Sequence, residues 1–199
     1  RMIEVLDAKK PQGDWRFAHS AVRATLELNA HNAGRLVNHH LLCARMLRSQ
    51  GEWGARLGRH LRAGGAVADA LGPLQRSLDD HLRMGDRLAA EGILGEWRGA
   101  LDALAVPMDD IRRATTRLFQ SRIAGLDGDL ETADDMAFEV EVKAQEQGWD
   151  ELETAALSHR ARVAYLSGQL GDAKRLTTRA IEQLDARGDL RRLAACHWL

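Results

Sequence analysis

Apolar residues along the chain recur at intervals of three and four, with charged residues filling the other side of each turn. The stretch after Gly128 is the clearest case. Leu130, Ala133, Met136, Ala137, Val140 and Ala144 fall on one stripe, while Asp134, Asp135, Glu139 and Lys143 lie largely opposite. This is an amphipathic helix packed along one side. Read this way, the chain predicts helices near 2–10, 14–30, 35–50, 52–63, 67–83, 87–104, 110–127, 130–147, 150–167, 171–187 and 189–199. Breakers fall between them at Pro11, Gly64-Gly65, Pro107, Gly148 and Gly188. Pro73 is placed in the first turn or so of its helix, where a missing N–H costs least. Ala and Leu far outnumber Val, Ile and Thr, which favours helix over sheet, and an all-α protein is expected.

The helices are organised by a repeat. Ile123-Ala124-Gly125-Leu126-Asp127-Gly128-Asp129-Leu130, followed by Ala133, aligns with Val163-Ala164-Tyr165-Leu166-Ser167-Gly168-Gln169-Leu170, followed by Ala173, at an offset of 40 residues. The glycine, the polar residue after it and the small residue five positions on can be traced back to Gly85-Asp86 with Ala90, Gly51-Glu52 with Arg56 and Gly13-Asp14 with Ala18. The spacings are 38, 34, 43 and 40, and Arg56 breaks the small-residue rule in the second unit. Each glycine is suited to ending a helix at positive φ, and the acid after it to capping the next helix. The predicted unit is a helix–turn–helix hairpin in which the small residue lets two backbones approach closely.

At Gly128-Asp129-Leu130-Glu131-Thr132-Ala133, with Ser121 and Ala161 at the small position of the first helix, the sequence resembles the tetratricopeptide repeat. The spacing near 40 is similar to the variant in MalT-like regulators and in large bacterial Ser/Thr kinases, ATPases and adenylate cyclases. Leu101 to Asp110, followed by Arg112-Arg113, also resembles the linker between repeats of kinase-associated regions. The resemblance is good over 108–199, fair over 35–107 and poor before that. It implies an all-α, right-handed superhelical solenoid of stacked antiparallel hairpins, one domain over 1–199. Its role would be a non-catalytic interaction or regulatory scaffold in a bacterial multidomain signalling protein. The alternative it allows is the ligand-sensing effector domain of a MalT-like transcription activator. The chain opens with Arg, and Leu190–Leu199 reads as the first helix of a further repeat, so a fragment of a longer protein is expected; a processed or tag-cleaved complete protein is the alternative. Trp198 and Leu199 on that last helix would need cover, and end-to-end contact, dimerisation or fraying is expected there.

Charge and composition narrow the partners. A formal net charge of −1 gives no global field to attract nucleic acid or anionic lipid. No apolar run is long enough to span a membrane, no signal peptide opens the chain, and two cysteines, Cys43 and Cys196, point to reduced thiols; a cytoplasmic protein is expected. Phosphate loops, kinase loops, nucleophile elbows and Cys-x-x-Cys pairs are lacking, so neither catalysis nor a cofactor is expected in this stretch.

Several residue groups invite chemistry and are read structurally instead. His39 and Cys43 lie one helical turn apart beside His40, but no third ligand is local and no metal is expected. Asp127, Asp129, Glu131, Asp134 and Asp135 suggest a calcium loop, yet the run enters a helix and fits N-terminal charge better. His159, Arg160 and Glu153 are read as surface helix pairs. Gly92, Gly95 and Gly99 suggest either a hinge or docking face, or tight internal packing. Trp15, Trp53, Trp97 and Trp149 are read as inter-helix packing residues.

The candidate site comes from repeat register. Six residues before each repeat glycine stand Asp7, Arg45, Asp79, Arg122 and Arg162, a position the resemblance assigns to the concave face. Arg122 and Arg162 should neighbour one another along that groove, with Leu118, Ser158 and Tyr165 nearby. Paired guanidinium groups suit a carboxylate or phosphate, so the expected partner is a protein or peptide segment, acidic or phosphorylated, or the parent's own catalytic domain. The competing account is that both arginines simply pair with acids on adjacent helices.

Overall fold

A computed structural model describes the backbone of Ile3–Val5 and Trp15–Phe17 and residues 19–187. From residue 20 onward its regular elements are helices: α1 Ser20–Asn32, α2 Leu36–Ser49, α3 Ala55–Ala63, α4 Val67–Met84, α5 Arg87–Ala103, α6 Ile111–Leu126, α7 Leu130–Gln147, α8 Asp150–Leu166 and α9 Leu170–Arg187. These bounds follow the predicted periods closely. The helix expected at 2–10 is corrected at Ile3–Val5, and the one expected at 14–30 begins only at Ser20. β1 (Ile3–Val5) and β2 (Trp15–Phe17) form an antiparallel pair in the register Ile3↔Phe17, Glu4↔Arg16, Val5↔Trp15. Ile-Glu-Val and Trp-Arg-Phe each alternate apolar and polar with β-branched or aromatic residues, a period of two that short helix templates conceal. Gly13, Pro11, Asp7 and the helix expected at 189–199, with Cys196, Trp198 and Leu199, lie outside the described residues.

The turns share one geometry. At Gly34, Gly51, Gly65, Gly85, Gly128, Gly148 and Gly168 the chain takes positive φ, and Ala105, at φ 48°, takes the same role between α5 and α6. In each, the amide after the left-handed residue reaches back to a carbonyl five residues earlier, as Asp129 does to Ala124 at 3.1 Å and Gln169 to Ala164 at 2.8 Å. The acid after the repeat glycine then caps the next helix. Asp86 accepts from the Ala89 amide and Asp129 from the Thr132 amide, both at 3.2 Å. Gly168 has φ +75° and open space where a Cβ would stand. Gly168→Ala should therefore cost about 1 kcal/mol through backbone strain alone. Urea denaturation should show a lower midpoint at unchanged slope; an unmoved midpoint would refute the strain.

The chain packs as two compact units, Arg1–Ala70 and Leu71–Leu199, with the boundary inside α4. In the first, α2 packs on α3, and Ala44, Leu47, Leu57 and Leu61 are buried. In the second, α5 packs on α6, α6 on α7, α7 on α8 and α8 on α9, while α6 also touches α8. The α6/α7 hairpin therefore adjoins the α8/α9 hairpin. Two apolar clusters fill the layers: Ala114, Leu118, Ala137, Val140, Ala144, Leu152 and Ala156, then Leu157, Ala161, Ala164, Ala173, Leu176, Ala180 and Leu184. The predicted small residues Ala90, Ala133 and Ala173 and the first-helix Ser121 and Ala161 are all buried. Alanine at these positions sets a short interhelical distance that leucine would not permit.

Some local expectations change. Pro73 sits well inside α4, beyond its first turn, so the Asp69 carbonyl has no amide to receive from it. Gly92 and Gly95 face open space, which removes tight packing as their explanation. Trp97 is buried and Trp149 packs against the α6–α8 cluster, but Trp53 is about half exposed at 47 %. Among the described residues no helix is long and apolar enough to cross a membrane.

Candidate functional site

The helices that precede Gly85, Gly128 and Gly168 are α4, α6 and α8. A cleft of about 450 Å³ opens on them, lined by Gln75 and Asp79 from α4, by Ile111, Arg112, Thr115, Leu118, Phe119 and Arg122 from α6, and by Glu151, Leu152 and Ala155 from α8. Most of this lining repeats in register. Ten residues before the glycine stand Gln75 and Leu118, and six before it Asp79 and Arg122. Thirteen before it stand Thr115 and Ala155, and seventeen before it Ile111 and Glu151. These offsets follow the i, i+4, i+7, i+11 stripe of a helix, so successive hairpins place one face of each first helix toward a shared surface.

Leu118 and Arg122 both line this cleft. Leu118 is buried in the cleft floor. The Arg122 guanidinium donates to Asp79 across 2.7 Å and lies 5.8 Å from the Phe119 ring centroid. Pairing with an acid on a neighbouring helix is thus what Arg122 does, and that acid occupies the same register position one hairpin earlier. Arg162 behaves differently. Its side chain is half-buried and its Nε is fully buried with no hydrogen-bond partner, and no carboxylate pairs with it among the described residues. Burial first, and then the Arg122 charge, hold its pKa below the usual arginine value. A guanidinium is nevertheless still charged at neutral pH.

Ser158 and Tyr165 share the Arg162 stripe on α8 but do not line the cleft. The Ser158 hydroxyl donates to the Thr154 carbonyl of its own helix at 2.8 Å, and Tyr165 is largely exposed. The groove therefore brings Leu118 and Arg122 together within one cleft and sets Arg162 along the same stripe beside it.

Sequence reasoning missed His159. It is buried at 7 % exposure, its ring bonds to the Ser121 backbone, and its Nε2 has no partner. Burial, followed by the Arg162 and Arg122 charges, pushes its pKa down to about 4, so it is neutral at pH 7. Its spacing gave the signal: Leu152, Ala156, His159 and Val163 recur at the buried period of α8. The reading of His159, Arg160 and Glu153 as surface pairs is corrected on the same ground. Glu141 and Glu153 are buried, and Arg160 bridges Asp134 and Glu141 while Arg179 bridges Glu141 and Glu153.

The remaining candidates resolve into structure. His40 Nδ1 lies 2.9 Å from His60 Nδ1, and burial, then the His40 charge, lowers the His60 pKa. No group of three metal-ligating side chains occurs among the described residues. Within the acidic run, Asp129 caps α7 and Asp134 holds Arg160. No protein-family model matches the chain, and no curated protein does so.

Proposed function

We propose that the Leu71–Leu199 unit is a non-catalytic interaction module whose α4, α6 and α8 face is the concave side of a right-handed, tetratricopeptide-like superhelix. On this reading the cleft holds an extended segment of a protein partner, or of the parent's own catalytic region. The setting is a larger cytoplasmic bacterial signalling protein of the Ser/Thr kinase-associated kind. One observation carries the reading: the cleft is lined by the same register positions of successive hairpins, as expected of a surface made by stacking a repeat. Its floor is apolar at Leu118, Phe119 and Leu152 while its rim is polar at Gln75, Thr115 and Glu151, which suits a segment with alternating anchors. The volume also lies within the range of small-molecule sites, and this favours the second reading, a ligand-sensing effector domain of a MalT-like activator.

Selection of a random peptide library on the whole chain separates the two. Peptides should enrich on the wild type and be lost on Ala155→Arg, which fills the cleft from an exposed position on α8. They should persist on Met108→Arg, which lies outside it. A folded Ala155→Arg variant that retains every enriched peptide, or a library with no enrichment, would overturn the segment-binding reading.

A further inference from the structure

The register position six residues before the repeat glycine forms a charge ladder across α4, α6 and α8: Asp79, Arg122, Arg162. Its first two members neutralise one another at 2.7 Å. The third has no counter-charge among the described residues, although its Nε is sealed from water. Beside it, also on α8, His159 is sealed in the α6–α8 layer, its ring 3.6 Å from where a Cβ on Gly125 would stand. The carboxylates of this region are committed elsewhere: Asp134 holds Arg160, and Glu151 lies three helical turns away at the far end of the same stripe. A half-buried guanidinium beside a second guanidinium, with a donor that neither protein nor solvent satisfies, is an arrangement that packing alone would replace with Leu or Met.

We propose that Arg162, with Arg122 beside it, is the seat for one carboxylate, an Asp or Glu side chain of the segment bound along the α4/α6/α8 face. The proposal rests on the segment-binding reading and adds the chemistry of its anchor. Charge sets the stoichiometry. Asp79 and Arg122 cancel, His159 is neutral, and Arg162 leaves a single positive charge, which one carboxylate balances. A phosphoryl dianion would leave excess negative charge unless His159 gained a proton. The outer Nη atoms of the guanidinium fit a carboxylate through two parallel N–H···O bonds, while the sealed Nε stays behind them.

The test uses the whole chain and sodium acetate as the probe, with sodium chloride holding ionic strength constant. Arginine Nε–H resonances report on the site directly. Acetate should shift the Arg162 resonance saturably and the Arg122 resonance less, and Arg162→Lys should weaken this binding about tenfold, since the fork is lost while the charge remains. Without acetate, Arg162→Leu should raise the thermal midpoint, because it removes an unpaired charge from a half-buried site. A response to acetate no greater than to chloride would overturn the seat, as would a lower midpoint for Arg162→Leu. Tighter binding of inorganic phosphate with proton uptake at His159 would reject the carboxylate in favour of a phosphoryl group. The two readings fail separately: acetate saturation with no enriched peptide ends segment binding alone, and peptide enrichment without an acetate response ends the anchor alone.

Discussion

Glu141→Gln is expected to lower the free energy of unfolding by about 3–5 kcal/mol, the range found when one partner of a buried ion pair is removed. Glu141 is 3 % exposed and accepts from Arg160 at 2.7 Å and from Arg179 at 2.6 Å, so one carboxylate on α7 joins α8 to α9. Arg160 also clasps Asp134 through Nε and Nη2 at 2.8 and 3.1 Å, and stacks 4.7 Å from the Phe138 ring centroid. Arg179 continues to Glu153 at 3.0 Å, and Gln183 donates to that same carboxylate at 2.7 Å. Glutamine keeps the shape of the Glu141 side chain and removes the charge. Two guanidinium groups are then left around a neutral amide, one half of which is itself a donor pointed at donors. The network gives little net stability over an apolar core, yet losing its buried central acid leaves Arg160 with Asp134 alone and Arg179 with Glu153 alone to offset their desolvation. Glu139→Gln is the control. Glu139 pairs with Arg117 at 2.8 and 3.1 Å on an exposed surface, where such a pair contributes roughly 0–1 kcal/mol. Urea denaturation of both variants should separate them clearly. A Glu141 loss as small as that of Glu139 would mean that water reaches the network.

The distinction between these two glutamates shows where sequence reasoning runs out. Glu141 follows Val140 and lies one turn after Ala137, on the buried side of α7, so its position predicts burial while its residue type predicts exposure. The same conflict hid His159 and Glu153 on α8. Periodicity set helix bounds well, because apolar stripes and glycine caps agree with one another from Leu36 to Arg187. Between α5 and α6 the left-handed residue is Ala105 rather than a glycine, and there Pro107 marked the break. Periodicity failed at Ile3–Val5 and Trp15–Phe17, since three residues are too few to separate a period of two from one of 3.6. At the candidate site, register brought out Asp79, Arg122 and Arg162 as equivalent positions, and the Asp79–Arg122 pair follows from it. That Arg162 goes without a partner could not be read from register, because it depends on which long side chains of neighbouring helices are already engaged.

Trp97→Ala should cost about 3–5 kcal/mol, and Trp97→Phe only about 1 kcal/mol, with different consequences for the cleft. Trp97 is 2 % exposed on α5, and its indole N–H donates to the Thr116 hydroxyl of α6 at 3.1 Å. Its ring stands edge-on to Phe119 at 6.4 Å and 83°. Phe119 in turn lines the cleft and lies under Arg122. One buried side chain on the second helix of a hairpin thus supports the wall of a cleft on the next first helix. Alanine removes the indole volume and lets Phe119 turn back into the void, carrying the Arg122 contact with it. Phenylalanine keeps most of the apolar area and loses one hydrogen bond. The Thr116 hydroxyl is not orphaned by that change, because it still donates to the Arg112 carbonyl at 2.9 Å. Urea denaturation gives the stability order. Acetate titration of the two variants, each well folded in the absence of urea, then gives the order at the site: Trp97→Ala should blunt the Arg122 response while Trp97→Phe leaves it intact. Equal stability losses would assign the contribution to the hydrogen bond rather than the ring, and an unchanged Arg122 response in both would show that Phe119 holds its place without the tryptophan behind it.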